Sequence, residues 1–221
     1  MKTFTFLITL NIFLSSILFA QNQPTPDFQT VKTEKGMMVL NNNQKQPFAF
    51  LVAGKNPEGS QRPDGSLLIQ TDSAGLLIYF VKTSSFLEGN KQNTESEVLT
   101  AYRDWDISAQ EKGWKTKLIV DDKGTESLKI FNHRSSIETL QNISSVYWSY
   151  LAPGSENPNR SFNQTVMIGD LVLLVGTVFE SSVKTEEVRQ FFKQTLESIT
   201  LLPIQKPKTL PKKKITKVKK N

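Results

Sequence analysis

The chain has 221 residues, a net charge of +6 and no cysteine. The lack of cysteine excludes disulfides, thiolate metal ligands, a nucleophilic thiol and the acylated cysteine of a lipoprotein anchor. The positive charge is concentrated at the C-terminal end, where the segment after Pro203 holds eight lysines and no acidic residue. Setting aside these eight and Lys2 leaves 18 basic against 21 acidic residues, so the rest of the chain is mildly acidic.

The N-terminal segment has the pattern of a secretory signal peptide. Lys2 precedes a mostly apolar run over residues 4–19, which ends in Ala20 before a polar stretch. A basic start, an apolar run and a small residue before the cleavage site are the parts of such a signal. We therefore predict a signal peptide over residues 1–20, a flexible lead-in over 21–27 and a periplasmic or extracellular protein. Leu18 is bulky where a small residue is expected, so an uncleaved anchor is the alternative.

Short apolar runs in the next part of the chain predict strands that are joined by turns. These runs cover residues 28–31, 37–40, 48–52, 67–70 and 76–81. The polar stretch 54–65, which contains glycine and proline, predicts an exposed loop. The run 76–81 is apolar on both faces, which predicts a central strand that is covered on both sides.

The clearest predicted helix begins after Thr94. Thr94 and Glu97 match a capping box, in which the two residues satisfy free backbone N–H groups at a helix start. Apolar residues then recur at helical spacing and form one stripe. They are Val98, Tyr102, Trp105 and Ala109. Gly113 is expected to end this helix in a left-handed conformation.

The second half of the chain predicts a run of strands followed by a last helix. Strands over 114–120 and 127–131 flank a predicted turn at 121–124, and a further strand covers 143–151. Strands over 162–168 and 171–179 meet at Gly169-Asp170, a favourable hairpin turn. The last helix covers 186–199 with Thr185 as its N-cap. Its apolar stripe consists of Val188, Phe191, Phe192, Leu196 and Ile199.

These elements predict an α+β domain over residues 28–203, with a mostly antiparallel sheet, a meander of strands and two amphipathic helices packed on one face. The order of the elements, with the Gly169-Asp170 hairpin and a last helix that ends in Leu201-Leu202-Pro203, resembles small exported bacterial domains of the PsbP/Mog1-like superfamily. The resemblance implies an accessory or binding protein without an active site. None of that superfamily's functional residues is matched to a position here.

Residues with catalytic chemistry are few and each has a local explanation. His133 is the only histidine, which excludes a histidine-dominated metal site, and we expect it exposed at a strand end. Three acidic pairs occur, at Asp104 with Asp106, Asp121 with Asp122 and Glu186 with Glu187. We expect them on the solvated side of a helix, in a turn and in a first helical turn, respectively. We therefore predict no catalytic, cofactor or metal site; a secreted hydrolase with dispersed active-site residues is the alternative.

An aromatic group in the strand 143–151 offers a second kind of site. Trp148 and Tyr150 share a face with Val146 and are predicted to lie in the core. Tyr147 lies on the opposite face and is the candidate surface aromatic, since an exposed ring can bind a sugar or a peptide.

The C-terminal segment 204–221 is predicted to be a disordered basic tail, because it is polar, lysine-rich and broken by proline. Its predicted contacts with polyanions are Lys206, Lys208, Lys212, Lys213, Lys214, Lys217, Lys219 and Lys220. Such a segment attracts anionic lipid, glycolipid or wall polymer, and an export signal disfavours nucleic acid. The leading prediction is an exported, non-catalytic accessory or binding domain of the bacterial cell envelope. Beside the hydrolase, the alternatives are a structural envelope subunit and a tail that only aids solubility.

Overall fold

A computed structural model of the chain describes residues 28–42, 46–72, 74–87, 94–134, 137–151, 159–180 and 182–204. The predicted signal peptide and lead-in lie outside these ranges, as does the predicted tail apart from Ile204.

Within the described ranges the chain forms eleven strands and two α-helices. The strands are β1 (Phe28–Thr33), β2 (Gly36–Asn41), β3 (Phe48–Ala53), β4 (Glu58–Gln61), β5 (Leu67–Gln70), β6 (Gly75–Lys82), β7 (Ile119–Asn132), β8 (Thr139–Leu151), β9 (Asn159–Ile168), β10 (Leu171–Glu180) and β11 (Thr200–Leu201). The helices are α1 (Glu95–Trp114) and α2 (Thr185–Glu197). The predicted α+β class is confirmed.

All the strands belong to one sheet in the order β1-β2-β3-β11-β7-β8-β9-β10-β6-β5-β4. Every neighbouring pair is antiparallel except β11 and β7, which are parallel. The short strand β11 lies in the interior of the sheet, between β3 and β7. The last strand of the domain therefore connects its first three strands to the meander β7–β10.

The two helices pack on opposite faces of the sheet. On β8, Trp148 contacts Tyr102 of α1 with ring centroids 6.4 Å apart, whereas its neighbour Tyr147 stacks on Phe162 at 6.1 Å. Phe162 in turn meets Phe192 of α2 edge-on at 5.1 Å. The prediction that both helices cover one face is wrong, because β8 is apolar on both faces and each face takes one helix.

Two buried clusters follow from this layering. The inner core lies on the α2 face and includes Phe50, Phe162 and Phe192. The outer cluster lies under α1 and includes Tyr102, Trp148 and Leu174. β6 contributes to both, since Leu76 and Ile78 lie in the inner core and Tyr79 and Val81 pack on the outer cluster, so it is covered on both sides as predicted.

The sheet curls around the inner core so that its two ends approach each other. Phe80 of β6 lies 5.7 Å from Phe28 of β1 and 6.0 Å from Phe48 of β3, measured between ring centroids.

The prediction of a loop over residues 54–65 is partly wrong, because this stretch contains the edge strand β4, which pairs with β5. Its exposed position is confirmed for that strand, all four residues of which are exposed.

The predicted turn at 121–124 is also wrong. β7 continues through it, with a shift of register between Val120 and Asp122 that leaves Asp121 as a bulge. Gly124 lies inside the strand, where a Cβ atom would come 2.5 Å from the Tyr147 hydroxyl. Glycine at this position therefore allows a close approach of the tyrosine ring and does not mark a turn.

The helix ends agree with the sequence in part. The capping box of Thr94 and Glu97 is present, and hydrogen bonds from Thr94 lower the pKa of the Glu97 carboxyl. Gly113 does not end α1, because the helix continues to Trp114 and Lys115 takes the left-handed conformation with φ of 54°. Thr185 is the first residue of α2 and not its cap, since the N-cap is Lys184, without a side-chain hydrogen bond.

Because Gly113 lies within α1, Gly113→Ala should stabilise the protein by roughly 0.5 kcal/mol, as alanine loses less backbone entropy in a helix. Gly36→Ala is the contrasting variant, since Gly36 has φ of 147° and its Cβ atom would lie 2.0 Å from the Val52 carbonyl oxygen. That variant should be clearly destabilised. Urea unfolding measures both, and a loss of stability in Gly113→Ala would contradict a helical Gly113.

Candidate functional site

A row of side chains that is apolar except for Thr200 crosses five strands on the face opposite the inner core. Leu40 of β2 pairs with Ala49 of β3, which pairs with Thr200 of β11. Thr200 pairs with Phe131 of β7, and Phe131 pairs with Leu140 of β8. Directly paired residues point to the same side of a sheet. These five residues, which we call the outer row, therefore form one continuous line of side chains.

The alternation of the strands fixes the direction in which the outer row points. Leu128 and Ile130 of β7 lie in the inner core, so Phe131 must face away from it. A second line of paired residues lies beside the outer row, formed by Val31, Met38 and Leu51. The strands β1, β2, β3 and β11, with residues 127–131 of β7 and 140–144 of β8, carry both lines on what we call the outer face.

Helix α1 does not cover the outer face. Its outer cluster begins on β8 at Val146, and Leu140 lies six residues earlier, about 20 Å along the strand. Phe131 is 38% exposed and Leu140 is 63% exposed. Large apolar side chains thus remain in contact with solvent where the sheet extends beyond the helix.

The described positions of the outer face carry no acidic side chain. The polar ones are Gln29, Thr33, Ser127, Lys129, Asn142, Ser144 and Thr200. The domain as a whole is mildly acidic, so this face differs in charge from the average of the domain. It is apolar to weakly basic.

The C-terminal end of the domain leaves the sheet beside this face. Since β11 runs parallel to β7, the chain after Leu201 runs toward the end at which β7 and β8 are connected. The His133 N–H donates to the Leu201 carbonyl at 2.9 Å, which fixes that end. Ile204 is 53% exposed, and the first lysine of the predicted tail follows two residues later, outside the described ranges.

His133 lies at this same end and is partly exposed, with 41% of its side chain accessible. Its Nε2 atom is 3.0 Å from Oε2 of Glu138, whose side chain is 49% exposed. The two side chains form an ion pair when the imidazole is protonated. It lies at a strand end, as the sequence predicts.

Tyr147 is not a surface aromatic. It is 9% exposed and stacks on Phe162, while the guanidinium of Arg189 lies 4.2 Å above the centroid of its ring. Arg189 also pairs with Glu126 at 3.4 Å, and Glu126 accepts a hydrogen bond from Gln164 at 2.5 Å. The prediction fails because the ring faces α2. The strand pattern alone does not show that a helix covers this face of β8.

Of the acidic pairs, only Glu186 and Glu187 lie where the sequence predicts, in the first turn of α2. Asp121 lies in the bulge of β7, where it accepts hydrogen bonds from Ser149 at 2.5 Å and from Arg160. Asp104 is exposed and pairs with Arg103 at 2.7 Å, but Asp106 is buried. The two residues of the first pair therefore lie in different environments.

Asp106 is a buried carboxyl in the contact between α1 and the sheet. It is 8% exposed, and burial raises its pKa to about 7, an effect that the side chains of Gln110 and Trp148 offset in part. The Trp148 Nε1 atom lacks a regular hydrogen bond among the described residues, so it acts on the carboxylate with weaker geometry. Burial, together with the Asp106 charge, also raises the pKa of Tyr102 and Tyr150.

A signal for the burial of Asp106 is present in the sequence. Val98, Tyr102 and Asp106 follow one another at intervals of four, which places them on one face of α1. Trp105, which the sequence places in the stripe, is 36% exposed. The buried stripe of α1 is rotated by one residue from the predicted one.

No group of three metal-ligating acidic or histidine side chains occurs among the described residues. Within the same ranges no helix is long and apolar enough to span a membrane.

The comparisons with known proteins concern the fold alone. No protein-family model matches the sequence, and no curated protein matches it. Among solved structures, the chain is similar to the solution structure of cyanobacterial PsbP from Synechocystis sp. PCC 6803, with 9% identity and a TM-score of 0.46. The alignment covers 81% of this chain and 95% of that one. This likeness is to one solved structure, and nothing about function follows from it.

The buried carboxyl predicts a pH dependence of stability. Because the pKa of Asp106 is higher in the folded state, the unfolded state loses this proton first as the pH rises from about 4 to about 7. Stability should therefore fall over that window by about 4 kcal/mol relative to Asp106→Asn, and change no further above it. Urea unfolding of both proteins at several pH values measures the difference.

Asp104→Asn is the matched control, since Asp104 belongs to the same helix but its side chain is 62% exposed. It should leave the pH dependence of the parent protein almost unchanged. Parallel pH profiles for the parent and Asp106→Asn would show that the carboxyl is not buried in the folded state.

Proposed function

We propose that this chain is an exported, non-catalytic accessory domain of the bacterial cell envelope, which attaches to an anionic lipid surface through its C-terminal end. The observation that carries the proposal is the course of the chain at Ile204, which leads from the acid-free outer face directly into a segment with eight lysines and no acid. The exposed apolar surface and the start of the lysine-rich segment thus lie at the same end of the domain.

The division of charge along the chain explains why attachment depends on that end. The rest of the chain is mildly acidic, so an anionic surface repels it weakly. A lysine close to an anionic membrane contributes about 1 kcal/mol of attraction, so eight lysines outweigh that repulsion. Salt screens this attraction over a Debye length of about 8 Å at physiological ionic strength.

Export is the second part of the proposal, and the sequence of residues 1–20 supports it. A basic residue, an apolar run and a small residue before a polar stretch form the pattern of a cleaved signal. The absence of cysteine from the chain leaves no site for a lipoprotein anchor. A mature protein attached by its C-terminal end would therefore be peripheral and could be released by salt.

Removal of the residues after Pro203 should abolish most binding to anionic vesicles. We expect the mature chain from Gln21 to sediment with vesicles that contain phosphatidylglycerol and not with phosphatidylcholine alone, and to dissociate as salt is raised. The truncated chain should stay in the supernatant under all of these conditions. A full-length variant with the eight lysines changed to glutamine is the matched control, because it keeps the length and the apolar residues of the tail.

Three outcomes would overturn this proposal. Equal sedimentation of the full and truncated chains would remove the role of the tail. Binding to isolated wall polymer but not to vesicles would replace the lipid surface by that polymer. Recovery of the intact chain in the cytoplasm of fractionated cells, with residues 1–20 still present, would remove export.

A further inference from the structure

We propose that the outer face itself contacts the bilayer, with Phe131 and Leu140 inserted between the lipid headgroups. The inference deepens the proposed function and rests on it, since the lysine-rich end would hold the face against the membrane. It assigns a second, apolar part to the attachment site.

The end of the β7–β8 hairpin is the part of the outer face best placed to insert. Phe131 and Leu140 are directly paired and exposed, and Ile137, in the segment that connects the two strands, is 70% exposed. Ile204 lies at the same end of the sheet, at the start of the predicted tail. Four large exposed apolar side chains thus lie at this end of the sheet, which we call the corner of the domain.

At this corner, the edge of β8 that faces away from β7 is not paired with another described strand. β9 pairs with β8 only over residues 145–151, so residues 139–144 extend beyond it, and no described strand pairs with them on that side. α1 also stops short of this region. The hairpin end therefore extends beyond both β9 and the region that α1 covers.

The charges of the corner favour a lipid surface that is anionic. Lys129 projects from the outer face beside Phe131, and long basic side chains place their charge at the headgroups while their stems stay in apolar surroundings. Two acidic residues lie close to this corner: the Glu138 carboxylate faces His133 at 3.0 Å, and the Glu197 carboxylate accepts from the Lys129 N–H at 3.4 Å. A stable peripheral attachment usually needs two signals, such as an apolar group and a basic patch, and both occur here.

A second copy of the chain is a less favourable occupant of the outer face. Self-pairing through this face would bring Lys129 of both copies, and the points from which both lysine-rich segments start, to the same interface, and like charges would oppose the contact. An anionic bilayer instead neutralises those charges while it covers the apolar side chains.

The absence of cysteine allows a direct test. Leu140→Cys and Ile119→Cys each provide a single site for an environment-sensitive fluorophore on the full mature chain. Ile119 is the matched control, because it is 65% exposed and begins the same strand that ends near Phe131, at the opposite end. With phosphatidylglycerol vesicles, the label at residue 140 should gain fluorescence several-fold, shift to the blue and be quenched by lipid-borne quenchers, whereas the label at residue 119 should not change.

A second pair of variants measures the apolar contribution. Phe131→Ser combined with Leu140→Ser should weaken vesicle binding by roughly tenfold or more, an effect that persists at raised salt because burial of apolar surface is not screened. Ile119→Ser should bind like the parent chain. Urea unfolding confirms that each variant is folded, as expected for exposed side chains.

The outcomes separate this inference from the proposed function. If the chain sediments with vesicles but the label at residue 140 does not respond, the tail alone binds and the inference is wrong while the proposed function stands. If the chain does not sediment at all, both are wrong. If the label at residue 140 responds to protein concentration without vesicles, a second copy covers the face and the inference is again wrong.

Discussion

The two residues of β11 hold the two halves of the sheet together, and most other features of the domain depend on them. Thr200 and Leu201 pair with β3 on one side and with β7 on the other. Backbone N–H groups of Phe131, His133 and Leu202 donate to carbonyls of Ile199, Leu201 and Pro47, each at 2.9 Å, and extend the connection beyond the strand. Ser198 adds a side-chain link, since its hydroxyl accepts from the Leu51 N–H at 2.8 Å. Without β11, the strands β1–β3 would have no hydrogen-bonded neighbour in the meander.

The position of α2 is coupled to that strand because only two residues, Ser198 and Ile199, separate helix and strand. Phe192 and Leu196 are buried in the inner core, and the short connection after them leads to Thr200 between β3 and β7. The same burial requires the sheet to curl, since Phe28 and Phe48 from one end and Phe80 from the other enclose the same core. Packing of one amphipathic helix thus settles the closure of the core and the order of the strands together.

The asymmetry between the two helices leaves the outer face open. α2 packs on the concave side against β3, β7 and β9, whereas α1 covers the convex side only over the part that contains β8, β9 and β10. The described residues include no further α-helix for the other half, and the residues there are mostly apolar along the paired lines of the outer face. A chain that buries its core without disulfides thus still leaves apolar side chains in solvent, at the end from which the lysines follow. Exposed apolar groups of this kind are characteristic of interaction surfaces.

The sequence by itself determined the local elements, because capping and periodicity act between residues close in the chain. The capping box at Thr94, the Gly169-Asp170 turn between β9 and β10 and the apolar stripe of α2 all follow from such short-range rules. The concentration of lysines after Pro203 is likewise a property of the sequence alone.

Tertiary structure decided the features that depend on contacts between residues distant in the chain. It buried Tyr147 under Arg189, kept β7 continuous through the turn-like stretch that begins at Asp121, and placed the helices on opposite faces. It also aligned Leu40, Ala49, Thr200, Phe131 and Leu140, since register between strands whose paired residues are up to 153 apart in the chain is fixed by hydrogen bonding and burial across the sheet and not by neighbours in sequence.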